Sequence, residues 1–456
     1  MNTTSEHVIR TILVGQSGGP TAAINASLAG VIRAAHAQGL RVLGMRNGIQ
    51  GFLEGGVVDL VEALELTASE SGSSNHASTN PGEKNLQLLR KTPSSWLGSC
   101  RFKLPELADN SESAAISPIY QQIDAQLKKY QVDAVLYIGG NDSMDTTDKL
   151  SRYFAQVDSA VRVVGVPKTI DNDLEGTDHT PGFGSAARFV ASVTAELIRD
   201  GGVYNSKNVT FIEAMGRDAG WLTAAGALAQ DICGTAPDFV LLPEIPLDEH
   251  ALLSAIEQRL REKNNVIVVV SEGVHHADGS FLFDAKSVSI DTFGHLAAQS
   301  GTAQYLSQLA KDQLGVKSRG IELDTLQRCA SHAASRVDLD EAEALGSAGI
   351  KAVLQGKTGI MVGVQRTSDT PYATKIRTTP VADVANKVKL VPREMISKDG
   401  FNVTDSALTY LRPLVAGMEE PISTDGLTGV SIDDTEMTCQ AGVGLKEASE
   451  MACELD

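Results

Sequence analysis

VRVVGVPKTIDND (residues 161–173) runs from an apolar stretch straight into a lysine, a threonine and two aspartates. Val161 to Pro167 is rich in β-branched residues and bounded by polar ones, which predicts a short strand buried on both faces, the kind found in parallel sheets. Its polar tail then falls at the carboxyl end of the strand, where ligands of such sheets bind. Lys168 offers fixed positive charge and Thr169 a hydroxyl. Asp171 and Asp173, at period two, are expected to share one face of an extended segment. One carboxylate can take a proton from an attacking hydroxyl while the other helps to hold a hard, oxygen-seeking cation, a set of parts that phosphoryl transfer requires. The bland alternative is an Asn-Asp turn.

Outward from this segment the pattern recurs. TILVG (11–15), DAVLYIGG (133–140), NVTFIEAMG (208–216), DFVLLPE (238–244), NVIVVVSEG (265–273) and TGIMVGVQ (358–365) read as further short strands. Ala-rich helical patterns occupy 20–37, 143–156, 184–200, 219–230, 248–262 and 326–354. Such alternation predicts βαβ units. At 456 residues the chain exceeds what one core usually supports, so the expected fold class is α/β, as two doubly wound Rossmann-like domains. The polar stretch 67–85 reads as a loop, and the acidic, weakly periodic end as an extension.

Lys and Arg number 39 against 57 Asp and Glu, a net charge of −18, which argues against nucleic acid or an anionic membrane as the main partner. Any anion must be held locally. The five cysteines (Cys100, Cys233, Cys329, Cys439, Cys453) are widely spaced and form no C-x-x-C pair, so neither a disulfide framework nor a zinc site is expected. The N-terminus MNTTSEHVIR is polar and no stretch approaches the roughly 20 apolar residues of a membrane span. The expected location is the cytoplasm.

Four more strand ends carry chemistry. In VGQSGGPTAAIN (14–25), Gly18 and Gly19 let backbone amides approach an anion at a helix N-terminus, although the loop lacks the GK[ST] ending of a Walker A motif and equally reads as a plain connecting turn. YIGGNDSMDTT (137–147) sets Asn141, Asp142 and Ser143 at the next helix start, where Asp142 or Ser143 could simply cap it. A carboxylate beside bound phosphate implies an intervening cation or the exclusion of a further phosphate. EAMGRDAGW (213–221) and VSEGV (270–274) place Arg217 and Glu272 to grip phosphate or sugar hydroxyls; SRGIELDTLQRCA (318–330) and WLGSCRFKL (96–104) contribute Arg319, Arg328 and Arg101.

In order and spacing, SGGP, LGSCR, IGGNDS, PKTIDND, AMGR, SEG and R…LQR resemble the phosphofructokinase family over roughly residues 10–400. The resemblance implies reversible phosphoryl transfer to the 1-hydroxyl of fructose 6-phosphate, in glycolysis and gluconeogenesis, with Mg²⁺ and an active site in the cleft between two domains. It implies a donor-phosphate domain of 1–182 plus about 330–356, a sugar-phosphate domain of 183–329 plus about 357–400, and an extension of 401–456. Asp171 matches the general base. Thr169, Ile170, Met215, Gly216, Arg217, Glu272 and Arg328 match sugar-phosphate contacts; Gly18 and Arg101 match donor-phosphate contacts; Asn141 and Asp173 match the metal position. Arg319 matches an arginine that reaches a neighbouring subunit's substrate, implying a homodimer or homotetramer.

ATP-using members usually show GGDGS and PGTIDND, with glycine where this chain has Asp142 and Lys168; members using inorganic pyrophosphate resemble the present pattern. An anionic side chain rejects a third phosphate, and a cation stabilises charge on the transferring group. Pyrophosphate is therefore the expected donor, with an ATP-dependent enzyme and a catalytically silent regulatory subunit as the alternatives. The chain departs from the family at Asn141, often a metal-binding aspartate, at Thr325, often histidine, and at Lys207 and Asn208, where an interface arginine is missing.

Overall fold

A computed structural model of the chain describes residues 8–66, 81–107, 117–282 and 301–419. The strands are β1 (Thr11–Gln16), β2 (Arg41–Met45), β3 (Val57–Asp59), β4 (Ala134–Gly139), β5 (Arg162–Pro167), β6 (Asn208–Ala214), β7 (Phe239–Leu241), β8 (Asn265–Ser271), β9 (Lys317–Glu322), β10 (Ile360–Asp369) and β11 (Tyr372–Pro380). They form a seven-stranded sheet in the order β11-β10-β5-β4-β1-β2-β3 and a four-stranded sheet in the order β7-β8-β6-β9. The central pairings β1/β4 and β4/β5 are parallel, as are β6/β8, β6/β9 and β7/β8.

Side-chain alternation explains why both faces are covered. Ile12 and Val14 of β1, Leu136 and Ile138 of β4, and Val164 and Val166 of β5 join one core with Leu28 and Ile32 of the helix Ile24–Ala37 and Leu345 and Ile350 of the helix Arg336–Leu354. Leu13, Val135, Tyr137 and Val163, one residue out of phase, face the opposite core. In the second sheet Val266, Val268 and Val270 lie on one side, Ile267 and Val269 on the other. Continuous apolar runs are what a doubly covered parallel strand demands.

Two expected boundaries differ. The segment 357–400, anticipated with the sugar-phosphate half, is divided, because β10 pairs parallel with β5 and returns as the antiparallel β11 on the edge of the first sheet. Residues 401–419 are no loose extension: Leu408, Leu411 and Leu414 pack with Trp221 and Phe183 in the core of the second half. Most of the expected loop, 67–80, and the end of the chain from 420 lie outside the described residues, while Pro81–Lys91 is helical. No helix among the described residues is long and apolar enough to cross a membrane.

Candidate active site

The carboxyl ends of β1, β4, β5, β6 and β8 open on one cavity of about 700 Å³ between the two sheets. Gly18, Arg101, Asn141, Asp142, Lys168, Thr169, Asp171 and Asp173 border it from the first half, and Gly216, Arg217 and Glu272 from the second. All but Arg101 are legible in the sequence as strand-end residues. Cys100 and Asp218, inside quoted motifs but not singled out, border it too, as do Asn386 and Val388, which belong to none.

Lys168 follows β5 directly, and its main-chain N–H donates to Gly139 O at 2.8 Å, so the β4 and β5 loop starts are tied together. Its side chain is 2% exposed, and Nζ donates to Gly19 O at 2.6 Å. The ammonium is thus built into the glycine loop after β1. Burial pulls Lys168 down to about 8, against the attraction of Asp171. Gly18 has φ of +77°, a conformation costly for any residue with a Cβ, and that Cβ would stand 3.3 Å from Nζ.

The Thr169 hydroxyl donates to Asp171 Oδ2 at 3.1 Å and accepts the Asp171 main-chain N–H at 3.1 Å, fixing the carboxylate on its own loop. Burial raises Asp171, opposed by the Thr169 hydrogen bond and Lys168. Asp173 is pushed to about 7 by burial and by Asp171 beside it. The two carboxylates reach the same cavity by a different route from the one expected. Asn172 has φ of +55°, so the segment turns between them rather than continuing as a strand.

On the second half, Glu272 Oε1 accepts the Gly216 N–H at 3.1 Å, and Ser271 Oγ donates to Gly216 O at 2.7 Å. These bonds brace Gly216 at φ of +122° and present Arg217, whose Nη2 lies 3.3 Å from Asp218 Oδ2. Burial raises Glu272 to about 7. Ile170 and Met215, expected as substrate contacts, pack in the core behind the loops, with Ile170 only 5% exposed. Arg328 approaches the glycine loop, since a Cβ on Gly19 would stand 3.2 Å from its Nη1, and its buried Nε finds no acceptor in the protein. An orphaned guanidinium N–H suits an anionic ligand. Gln327, missed in the sequence, accepts the Met215 N–H at 3.3 Å.

Arg319 lies off this cavity, and Asn141 borders it with its side chain engaged by another segment. Arg319 is on β9 opposite Thr210, exposed, and borders a separate cavity of about 610 Å³ with Tyr204 and Lys317. Asn141, expected at a metal, turns to a neighbouring segment: its Oδ1 accepts the Asn386 N–H at 2.6 Å and its Nδ2 donates to Lys387 O at 2.7 Å. An amide can donate and accept at once, which an aspartate cannot, so the departure at this position supports a backbone clasp. Among the described residues no group of three or more His, Cys, Asp or Glu is arranged to hold a metal. Two neighbouring carboxylates, both raised by burial and Asp173 further raised by Asp171, do suit a hard cation held by one or two protein oxygens together with substrate phosphates, as Mg²⁺ is usually bound.

The model of the family described as phosphofructokinase matches residues 11–353. The chain is 39% identical over 420 residues to the pyrophosphate–fructose 6-phosphate 1-phosphotransferase of Xanthomonas campestris, covering 91% of this chain and 94% of that one. To the protein of the same name from Methylococcus capsulatus it is 38% identical over 423 residues, with 92% and 94% covered. The crystal structure of the pyrophosphate-dependent phosphofructokinase from Nitrosospira multiformis superposes with a TM-score of 0.77 at 34% identity, covering 92% of this chain and 95% of that one. With its strand-end loops gathered on one cleft between two α/β halves, the chain belongs to the phosphofructokinase family.

Proposed function

We propose that the protein transfers a phosphoryl group from inorganic pyrophosphate to the 1-hydroxyl of fructose 6-phosphate, giving fructose 1,6-bisphosphate and phosphate. One observation carries the choice of donor: Lys168 and Asp142 border the same cavity as Asp171. The names of the relatives that cover nine-tenths of the chain support the same reading.

In this mechanism Asp171 accepts the proton of the 1-hydroxyl as its oxygen attacks phosphorus, and phosphate departs. Lys168, tied to Gly19 O, stabilises charge on the transferring group. Asp142 repels a third phosphate. Arg217, Arg328 and Glu272 hold the sugar phosphate, and Gly18 and Arg101 the donor. Asp173 would hold Mg²⁺ jointly with donor oxygens, and the bound cation would supply neutralisation of phosphate charge. Arg319, 61% exposed in its side chain and distant from this cleft's wall, serves the site of a second copy in a homo-oligomer.

The test is turnover of fructose 6-phosphate with pyrophosphate or ATP, each with and without Mg²⁺. Pyrophosphate with Mg²⁺ is the expected pair; faster turnover with ATP overturns the donor, and no turnover with either overturns the enzyme. The same assay across pH carries a second prediction. Activity needs the Lys168 ammonium, whose pKa burial lowers to about 8, so kcat/KM for pyrophosphate falls as pH rises through about 8. Lys168→Arg, which stays charged, removes that alkaline limb from whatever activity remains. An identical limb in the variant would assign it to another group.

A further inference from the structure

The segment 386–391 belongs to no motif read in the sequence, yet it meets Asn141, the turn at Asn172 and Asp173, and Trp221. We propose that Lys389 on this segment is a positioning residue which, through Asn172, fixes how Asp171 and Asp173 face the reacting groups. The inference rests on the proposed phosphoryl transfer.

Asn172 is the pivot between the two aspartates. It is fully buried, at φ of +55°. Asn tolerates this conformation better than most residues, but side-chain bonds must hold it there. Its Nδ2 donates to Tyr410 Oη at 2.9 Å, and its Oδ1 accepts from Thr180 N at 3.1 Å and from Lys389 Nζ at 3.2 Å. Lys389 also grips the next residue, its main-chain N–H donating to Asp173 O at 2.8 Å.

Lys389 is itself held from several sides. Nζ donates to Asp178 O at 2.7 Å and lies 5.3 Å from the Trp221 ring centroid, while Trp221 Nε1 donates to Lys389 O at 2.9 Å. Trp221 lies just beyond the Arg217 loop, so one residue joins the aspartate turn of the first half to the sugar-phosphate loop of the second. Its Nζ acceptors, including Thr177 O at 3.4 Å, are neutral oxygens, and burial depresses the ammonium to about 8 against the attraction of Asp178, Asp173 and Glu175. An apolar side chain would fill this place with no desolvation cost. What the ammonium adds is a directed hold on Asn172 and on the Thr177 and Asp178 carbonyls behind it, and in phosphoryl transfer placement is most of catalysis.

The test is steady-state kinetics with pyrophosphate on the parent, Lys389→Met, Tyr410→Phe and the double variant. Lys389→Met is expected to lower kcat about 10-fold or more with both KM values within about threefold of the parent. Tyr410→Phe, which removes the hydroxyl that accepts from Asn172 Nδ2 and donates to Asp178 O, the carbonyl that Lys389 also holds, lowers kcat about threefold or more with KM again unchanged, and the double variant loses less than the product of the singles. A kcat within about twofold of the parent for Lys389→Met, a matching rise in both KM values, or independent effects in the double variant overturns the proposal. Should Lys389→Met fail to fold, Tyr410→Phe alone decides by the same criterion. A parent inactive with pyrophosphate sinks the functional reading instead, and is seen before any variant is compared.

Discussion

Asp171→Ser is expected to lower kcat by about 10²-fold or more while leaving the affinity for fructose 6-phosphate within a few-fold of the parent. The carboxylate is tied by the Thr169 hydroxyl and neighbours Lys168, so it is a fixed base rather than a mobile surface group. Serine keeps a small polar side chain but cannot accept the proton at neutral pH. In the proposed mechanism the sugar phosphate is held elsewhere, from Arg217, Glu272 and Arg328, so binding should survive. Rapid kinetics for kcat and calorimetric titration of fructose 6-phosphate check the two halves separately. Unchanged turnover would remove Asp171 from the role of base, and a parallel collapse of binding would make it a structural residue.

The second large effect concerns the donor. Lys168→Gly combined with Asp142→Gly is expected to lower kcat/KM for pyrophosphate by about 10²-fold or more, the scale seen when one preorganised charge-stabilising group is removed. Lys168→Gly also deletes the bond to Gly19 O, so the glycine loop loosens along with the lost charge. Asp142→Gly alone separates the two roles: it removes the repulsion of a longer polyphosphate without touching that bond, and should raise activity with ATP relative to pyrophosphate. Undiminished pyrophosphate activity in the double variant would dispose of the selectivity argument.

Much of the site is legible in the amino-acid sequence because parallel α/β sheets confine ligand contacts to strand ends, and strand ends are marked by an abrupt change from apolar to polar residues. Lys168, Asp171, Asp142, Arg217 and Glu272 each stand directly after such a change, and all border one cavity. Arg319, matched by the resemblance to an arginine that reaches a neighbouring subunit, is placed differently. It sits inside β9 rather than beyond its end, so its side chain opens on a different cavity.

The sequence by itself determined the α/β class, the strand-end loops and the residue types available for phosphoryl transfer, because periodicity and local composition are properties of neighbours along the chain. Only the tertiary structure decided that Asn141 clasps Asn386 and Lys387, that Asn172 turns between two aspartates, that Lys389 holds that turn and that Ile360–Pro380 completes the first sheet. Each of these depends on groups far apart along the chain meeting in space, where burial drives most polar atoms to find a partner, and no local pattern encodes which partner that will be.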